Sequence, residues 1–249
     1  MSYRARIIPV LLLQNGGLVK TIKFSNPDYI GDPINAIKIF NEKEVDEIVV
    51  LDIEATKKNK PINFELIREF ASECFMPLAY GGGIKTLSDI EKLIASGVEK
   101  VIINSAAIEN PNFIGEAAKH FASSTIVISI DVNQNLLGSY FIQTFSGKKI
   151  KSSVVDFANQ IEQQGAGELL VQAVHHDGTG KGYDTKLIAE ISKSVSIPVI
   201  GCGGASSVSD LKNVIEAGAS AAAAGSMFVY SGKHRAVLIS FPSSSELNW

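Results

Sequence analysis

Cysteine is scarce in this sequence of 249 residues. Its two cysteines, Cys74 and Cys202, stand far apart and belong to no CxxC or Cys/His pattern. With this scarcity, neither a disulfide framework nor a structural zinc site is indicated, and it fits a reducing cytoplasm, where we expect the protein to reside. Long hydrophobic runs are lacking as well. No uncharged run is longer than residues 217–232, which are mostly Ala, Gly and Ser, so we predict no membrane-spanning segment.

An excess of charge of either sign is also missing. Lys and Arg total 23 and Asp and Glu total 26, which gives a formal net charge of −3. No cluster of like charge is longer than Lys57, Lys58 and Lys60. Because nucleic-acid binding usually needs a basic face, we expect no nucleic-acid partner.

Apolar residues are plentiful, at 45% of the chain, and suffice for a large core. Short apolar runs alternate with amphipathic helical patterns, which predicts parallel strands joined by right-handed crossovers. Eight such units predict a closed (β/α)8 TIM barrel of the α/β class, and no Pro/Ser-rich linker divides this one predicted domain, residues 1–249. The predicted strands are 7–13, 48–51, 78–80, 101–103, 126–130, 169–174, 199–201 and 221–224.

An internal repeat divides the predicted barrel. The stretch 76–83, which ends in three glycines, recurs as 197–204 at an offset of 121 residues. Glu47 falls on Glu168 at the same offset. We therefore predict two fused half-barrels, about 1–122 and 123–249, that present equivalent loops on the same face.

Glycines and small polar residues follow four of the predicted strands. Exposed backbone N–H groups at such positions can cradle a phosphate, because glycine allows close approach. Glycines that only turn a strand into a helix are the alternative. The two repeats predict a substrate with a phosphate at each end, bound by Gly82, Gly83, Asn104 and Ser105 in the first half and by Gly203, Gly204, Gly225 and Ser226 in the second.

Carboxylates stand at three strand ends: Asp52, Asp131 and Asp177. Asp131 and Asp177 are candidates for the general acid and base between the two phosphate cradles. A carboxylate that only caps a loop or orients Lys20 is the alternative. Lys20 itself is a candidate for covering a phosphate or polarising a carbonyl, with a solvated surface lysine as the default interpretation.

Four charged residues, Arg6, Glu47, Lys100 and Glu168, each precede an apolar strand at the opposite end of the barrel. Pointing inward, they would form a neutral, paired ring at the barrel floor. Pointing outward, they would be solvated strand starts, which is the orientation that the residues alone favour.

His175 and His176 precede Asp177 and invite a metal interpretation. Adjacent strand residues point to opposite faces, so only one histidine could join Asp177, and no third ligand has suitable spacing. We therefore predict no metal and no cofactor. Cys202 has no evident basic partner and is interpreted as a small residue at the barrel mouth.

A series of motifs recurs in one order from about Arg6 to about Phe228. The motifs are Arg6-Ile7-Ile8-Pro9, Gly31-Asp32-Pro33, Asp46-Glu47, Leu51-Asp52, Gly81-Gly82-Gly83-Ile84, Asn104-Ser105-Ala106-Ala107, Ser146-Gly147-Lys148-Lys149, Gly165-Ala166-Gly167-Glu168, Asp177-Gly178-Thr179, Gly182-Tyr183-Asp184 and Gly203-Gly204-Ala205. Together they resemble the cyclase subunit of imidazole glycerol phosphate synthase.

The resemblance implies a glutaminase subunit docked on the N-terminal face as a heterodimer, and ammonia that crosses the barrel to a phosphorylated small-molecule substrate. It also implies that Arg6, Glu47, Lys100 and Glu168 form an ammonia gate. This reverses the outward interpretation. The implied substrate site comprises Asp131 and Asp177 as catalytic residues, with Lys20, Gly178, Thr179, Asn104, Ser105 and the glycine cradles.

One position departs from the family pattern. Cyclases of this family carry a catalytic aspartate at the end of strand 1, where this chain has Leu12. Loss of a positioned acid or base costs roughly 10²- to 10⁴-fold in rate, which predicts that the cyclase chemistry is lost or altered. His175 and His176 also replace the family's usual Asp-Arg.

Further stretches, among them 11–14, 17–21, 73–77 and 234–240, resemble a paralogous class that accompanies bacterial surface polysaccharide (lipopolysaccharide, O-antigen) pathways. The leading hypothesis is an ammonia-channelling synthase barrel that serves amidino-sugar formation, with a sugar amidotransferase as a further partner. The alternatives are an active cyclase in histidine biosynthesis, a scaffold that only activates a glutaminase, and a phosphosugar isomerase.

Overall fold

A computed structural model describes residues 4–145, 150 and 152–247. The Ser146-Gly147-Lys148-Lys149 motif lies outside the described residues. The strands are β1 (Arg6–Gln14), β2 (Gly17–Ile22), β3 (Ser25–Gly31), β4 (Ile48–Asp52), β5 (Leu78–Gly81), β6 (Lys100–Ile103), β7 (Ile126–Gln134), β8 (Tyr140–Ile142), β9 (Glu168–Ala173), β10 (Val199–Cys202), β11 (Ala221–Ala224), β12 (Tyr230–Ser231) and β13 (Ala236–Val237).

The helices follow the barrel strands along the chain. They are α1 (Pro33–Glu42), α2 (Phe64–Glu73), α3 (Leu87–Ala95), α4 (Ser105–Glu109), α5 (Asn112–Phe121), α6 (Val154–Gln163), α7 (Thr185–Ser192), α8 (Val208–Glu216) and α9 (Ser226–Val229). Within the described ranges, no helix is long and apolar enough to cross a membrane.

Eight parallel strands close into a barrel, as the alternation of strand and helix predicted. The order is β1, β4, β5, β6, β7, β9, β10 and β11, and β11 pairs back onto β1. Each coincides with one of the eight predicted apolar runs, although β9 ends at Ala173, one residue before the end of the run 169–174. The (β/α)8 prediction is therefore confirmed.

Two hairpins at the C-terminal end of the barrel were not predicted. β1 continues past the barrel and pairs antiparallel with β2, and β7 does the same with β8. β3 extends the first hairpin, and its residues are largely exposed. The apolar runs of these strands are absent or at most three residues long, so hydrophobic periodicity alone did not reveal them.

Apolar side chains pack in two places. A large cluster lies between the barrel and the surrounding helices, and includes Phe40, Phe70 and Phe228. A smaller cluster fills the barrel interior with residues such as Ile8, Val10 and others on the remaining strands. The interior is thus apolar along the axis between the two ends of the barrel.

The predicted repeat extends to the ends of the helices. Thr86 caps α3 and Ser207 caps α8, and each forms a reciprocal capping box with the aspartate three residues later, Asp89 or Asp210. Equivalent positions thus have equivalent local structure, whereas the fused half-barrel boundaries themselves stay a prediction.

These caps give a test of the fold. We expect Ser207→Ala to lower the free energy of unfolding by about 1 kcal/mol, because the N–H of Asp210 loses its hydroxyl acceptor. Thr86→Ala should have a similar effect in the first half, and urea unfolding measures both. Ser207→Thr keeps the acceptor and serves as the control. Equal stability of wild type and Ser207→Ala would contradict the assignment.

Candidate active site

A cavity of about 670 Å³ opens at the C-terminal end of the barrel strands. We call it the mouth cavity. Lys20, Leu12, Asp131 and Asp177 all line it. The predicted phosphate-binding residues that also line it are Gly82, Gly83, Asn104, Ser105, Gly178, Gly203, Gly204, Gly225 and Ser226.

Thr179 and Asp52, which the sequence analysis also singled out, have local hydrogen bonds of their own. Thr179 does not line the mouth cavity, and its hydroxyl donates to the carbonyl of His176 at 2.7 Å. Asp52 lines the cavity, but its Oδ1 accepts from the N–H groups of Glu54 and Ala55 at 2.9 and 3.0 Å. Asp52 thus caps a loop.

Glycine is required at several turns of the mouth cavity. Gly82 and Gly203 have φ of +123° and +99°, and a side chain at either would collide with the carbonyl of the neighbouring strand, at Asp52 or Ala173. The chain therefore passes close to its neighbour and leaves the backbone accessible to a ligand at both repeats.

Asp131 lies at the end of the fifth barrel strand, where Asn104 donates to its Oδ2 at 3.2 Å. Burial raises the pKa of Asp131 to about 7, and the charge of Asp177 adds to the rise. The hydrogen bond from Asn104 has the opposite effect and lowers the pKa. A carboxyl group with this pKa can both donate and accept a proton near neutral pH.

Asp177 lies in the turn after β9 and accepts hydrogen bonds from Thr21 and Gln172, each at 3.2 Å. Burial raises its pKa, and these hydrogen bonds together with the charge of Lys20 oppose the rise. Gln172 and Thr21 were missed by the sequence analysis. Gln172 is the one polar residue of the apolar run 169–174, and this interruption was the available signal.

Lys20 is buried, at 4% exposure, which corrects its default interpretation as a solvated surface residue. Its Nζ donates to the carbonyl of Val10 at 2.5 Å, and a side chain at Gly225 would collide with that ammonium group. Burial lowers the pKa of Lys20 to about 8, although the charge of Asp177 opposes this effect.

Lys20 occupies a position equivalent to the side chain of Asn104 in the other half. Asn104 donates to the carbonyl of Ser129, two residues before Asp131, at 3.0 Å. Lys20 donates in the same way to the carbonyl of Val10, two residues before Leu12. Because Leu12 carries no charge, the buried ammonium lacks the carboxylate that the symmetry of the site would supply.

The four charged strand-start residues form a closed ring at the N-terminal end of the barrel. We call Arg6, Glu47, Lys100 and Glu168 the charged ring. Arg6 pairs with Glu47 at 2.5 Å and also with Glu168, and Lys100 Nζ lies 2.8 Å and 3.0 Å from the same two glutamates. Glu47 and Glu168 are 2% and 4% exposed. The outward, solvated orientation is therefore wrong.

The ring stabilises its own charges. Burial disfavours the Arg6 cation, but the hydrogen bonds and charges of Glu168 and Glu47 outweigh it and raise the pKa of Arg6. Alternating signs let each buried carboxylate face two cations, which offsets the cost of its desolvation.

The side chains of His175 and His176 do not point to opposite faces, as they would in a regular strand. β9 ends at Ala173, so His175 and His176 lie in a turn, and their rings meet edge to face with centroids 4.6 Å apart. Asp184, eight residues after His176, contacts His175 Nε2 at 2.9 Å. Both the expected divergence and the expected lack of a third candidate ligand were therefore wrong.

Cys202 is a buried thiol of the mouth cavity. Burial raises its pKa to about 12, with Asp177 adding to the rise. A thiol that stays protonated is a poor nucleophile, which supports its interpretation as a small residue of the barrel mouth.

Comparison with known proteins places this geometry in context. A family model described as histidine biosynthesis protein matches residues 6–235. A Pseudomonas aeruginosa protein, provisionally named imidazole glycerol phosphate synthase subunit hisF2, is 49% identical over 247 residues, 98% of each chain. A Vibrio vulnificus protein, provisionally named subunit hisF3 of that synthase, is 45% identical over 246 residues, 98% of this chain and 95% of its own. Imidazole glycerol phosphate synthase subunit HisF of Petrotoga mobilis is 42% identical over 227 residues, 90% of each chain.

The charged ring yields a stability prediction. Lys100→Met leaves two buried glutamates with one cation, so we expect the free energy of unfolding to fall by about 3 kcal/mol. The double variant Lys100→Met with Glu168→Gln keeps the pair of Arg6 with Glu47 and should regain most of the loss. Chemical unfolding of both variants tests this. A single variant as stable as wild type would show that the ring pairs contribute nothing.

The position of Leu12 yields a titration prediction. Lys20 should titrate near pH 8 in the wild type, and Leu12→Asp should move its pKa upward toward the ordinary value of 10.5, because a carboxylate favours the ammonium form. NMR of ¹³C-methylated lysine amines measures the titration. Leu12→Asn, similar in size but uncharged, should leave the pKa low. An ordinary Lys20 pKa in the wild type would overturn the expectation.

Proposed function

The chain belongs to the histidine biosynthesis protein family, and on that premise we propose that it is the synthase barrel of a glutamine amidotransferase. In this proposal a glutaminase subunit docks on the N-terminal face, and ammonia travels through the barrel to a phosphorylated substrate in the mouth cavity. One observation carries the proposal: the charged ring and the mouth cavity stand at opposite ends of one apolar barrel interior.

The charged ring is proposed to act as the gate for ammonia. Lys100 and Arg6 have side chains that are 20% and 23% exposed, whereas the two glutamates are almost fully buried. The cations are therefore the members best able to swing outward. Beyond the ring, the apolar interior favours neutral ammonia over the ammonium ion, because burying an unpaired charge is costly.

The mouth cavity is proposed to bind a substrate with two phosphate groups. Backbone donors at Gly82 and Gly83 in one half, and at Gly203 and Gly204 in the other, support an anion site at each side. Lys20 adds a positive charge between them. Asp131 and Asp177 are proposed as the acid and base, and their raised pKa supports that role.

Leu12 supports a finer proposal about the product. Without the aspartate of the cyclases at this position, ring closure to imidazole glycerol phosphate loses a proton-transfer group. We propose that the ammonia instead serves amidino-sugar formation in bacterial surface polysaccharide synthesis, with a sugar amidotransferase as acceptor enzyme. The resemblance of stretches such as 11–14 and 234–240 to the polysaccharide-associated paralogues supports this choice.

An active cyclase of histidine biosynthesis is the second candidate. The observation that favours it is the survival of both Asp131 and Asp177 in the mouth cavity. In that case the two carboxyl groups compensate for Leu12.

A cyclase assay separates the two candidates. With the formimino-ribulotide bis-phosphate and ammonium salt, we expect the purified wild type to turn over at least 10²-fold more slowly than the Petrotoga mobilis relative, and Leu12→Asp to recover part of the loss. Leu51→Asp is the matched control, since Leu51 pairs in register with Leu12 and also lines the mouth cavity. Wild-type turnover equal to that of the relative would favour the histidine-pathway cyclase.

A second assay tests ammonia transfer. With the glutaminase chain present, Lys100→Met should change the rate at which the ammonia-dependent product forms from glutamine, but not the rate from added ammonium. Asp177→Asn should reduce the rate from both ammonia sources. If Asp177→Asn leaves the output intact while Lys100→Met disrupts it, the barrel is a scaffold that hands ammonia onward without using its own cavity. If Lys100→Met changes neither route, the gate proposal is wrong.

A further inference from the structure

We infer that His175 and His176, with Asp184 as the carboxylate that holds His175, form a binding site for a divalent transition-metal ion such as Zn²⁺ or Co²⁺. One ligand atom from each of the three residues lies within 4.8 Å of the others. The site is separate from the proposed ammonia transfer, because none of the three side chains lines the mouth cavity.

Local backbone structure brings the three residues together. The histidines occupy the turn that follows β9, and Asp184 is the N-cap of α7. Between them, Gly180 and Gly182 adopt φ of +66° and +83°, which lets the chain reverse and return to the histidines. Two imidazole nitrogens, one of them on a ring that a carboxylate supports, suit zinc, cobalt or nickel rather than magnesium.

The hydrogen bond of His176 leaves one of its nitrogens available. His176 Nδ1 lies 2.7 Å from the carbonyl oxygen of Gly182. A carbonyl oxygen only accepts, so Nδ1 carries the proton and Nε2 of the neutral ring keeps its lone pair. This is the tautomer in which a histidine binds a metal through Nε2 while a backbone carbonyl fixes the ring.

His175 is fixed in a complementary way. Its Nε2 faces Asp184 Oδ2 at 2.9 Å, and Asp184 Oδ1 accepts from the hydroxyl of Tyr140 at 3.0 Å. With the proton of His175 on Nε2, the carboxylate and the imidazole form the carboxylate–histidine pair that commonly supports a bound metal ion. Tyr140 then orients the carboxylate from the far side.

The remaining nitrogen of His175 is an independent observation. His175 Nδ1 is buried and has no hydrogen-bond partner among the described residues. A buried polar atom without a partner is costly, and native structures rarely keep one without a reason. A metal ion accepts this lone pair, and the neighbouring ring of His176, 4.6 Å away between centroids, supplies a second ligand.

A metal at this position would tie three segments together. Tyr140 belongs to β8, Asp184 begins α7, and the histidines directly precede Asp177. His176 also packs against Gly204 of the second phosphate cradle, because a side chain at Gly204 would come within 3.0 Å of the His176 Cβ. The ion would therefore act as a clamp on the turn that carries Asp177.

Cobalt titration tests the site directly. The untagged, chelator-treated full chain should bind about one equivalent of Co²⁺ with the visible absorption of a protein-bound ion, and Zn²⁺ but not Mg²⁺ should compete. His175→Gln and His176→Gln should each abolish this signal. Asp184→Asn, which keeps the helix cap, should weaken binding roughly 10- to 100-fold.

The chain has four histidines, and the other two provide matched controls. His120→Gln and His234→Gln should bind Co²⁺ like the wild type, because both side chains are exposed and outside the cluster. Thermal unfolding gives a second readout: Zn²⁺ at about 100 times its Kd should raise the wild-type Tm by roughly 5–10 °C and leave that of His175→Gln unchanged. The inference is overturned if the wild type binds no Co²⁺, or if binding and the Tm rise survive in both His175→Gln and His176→Gln.

Discussion

The pairing of β1 with β11 is the interaction on which the rest of the structure depends. Parallel hydrogen bonds from Arg6 opposite Ala221 to Pro9 opposite Ala224 turn an eight-stranded sheet into a closed barrel. Closure gathers the strand starts around one opening, where the four charges can meet as a ring. It gathers the strand ends around the other opening, where both glycine cradles face one cavity. Neither end could assemble on an open sheet.

The same closure exposes a difference between the two halves. Strands β1 and β7 both run past the barrel into hairpins, and each supplies an inward-facing residue at the cavity floor. In the second half that residue is Asp131, which Asn104 contacts. In the first half it is Leu12, with the buried Lys20 nearby on β2. One side of the cavity is therefore polar and carries a carboxyl group, whereas the other presents hydrocarbon and a buried cation.

The barrel could be predicted from sequence because each of its strands contains a mostly apolar run and amphipathic helical patterns lie between most of these runs. The repeat at a constant offset also located both glycine cradles. The hairpins could not be predicted, since β3 and β8 owe their structure to cross-strand pairing instead of to apolar periodicity. Without them, neither the burial of Lys20 nor the position of Tyr140 could be foreseen. The inward orientation of the charged ring was also hard to predict. Each of its residues taken alone favours a solvated position, and only the mutual pairing of all four offsets the cost of burying them.

The contact between Lys20 and Gly225 links two distant positions of the chain. The ammonium group of Lys20 fills the space that any side chain at position 225 would need. The equivalent position in the first half is occupied by Asn104, whose own side chain supplies the amide that bonds to the next strand. Each half thus has room for one polar group at this point, supplied either from the strand end or from the hairpin. A side chain gained at 225 would consequently require the flexible Lys20 side chain to withdraw its amine from this space.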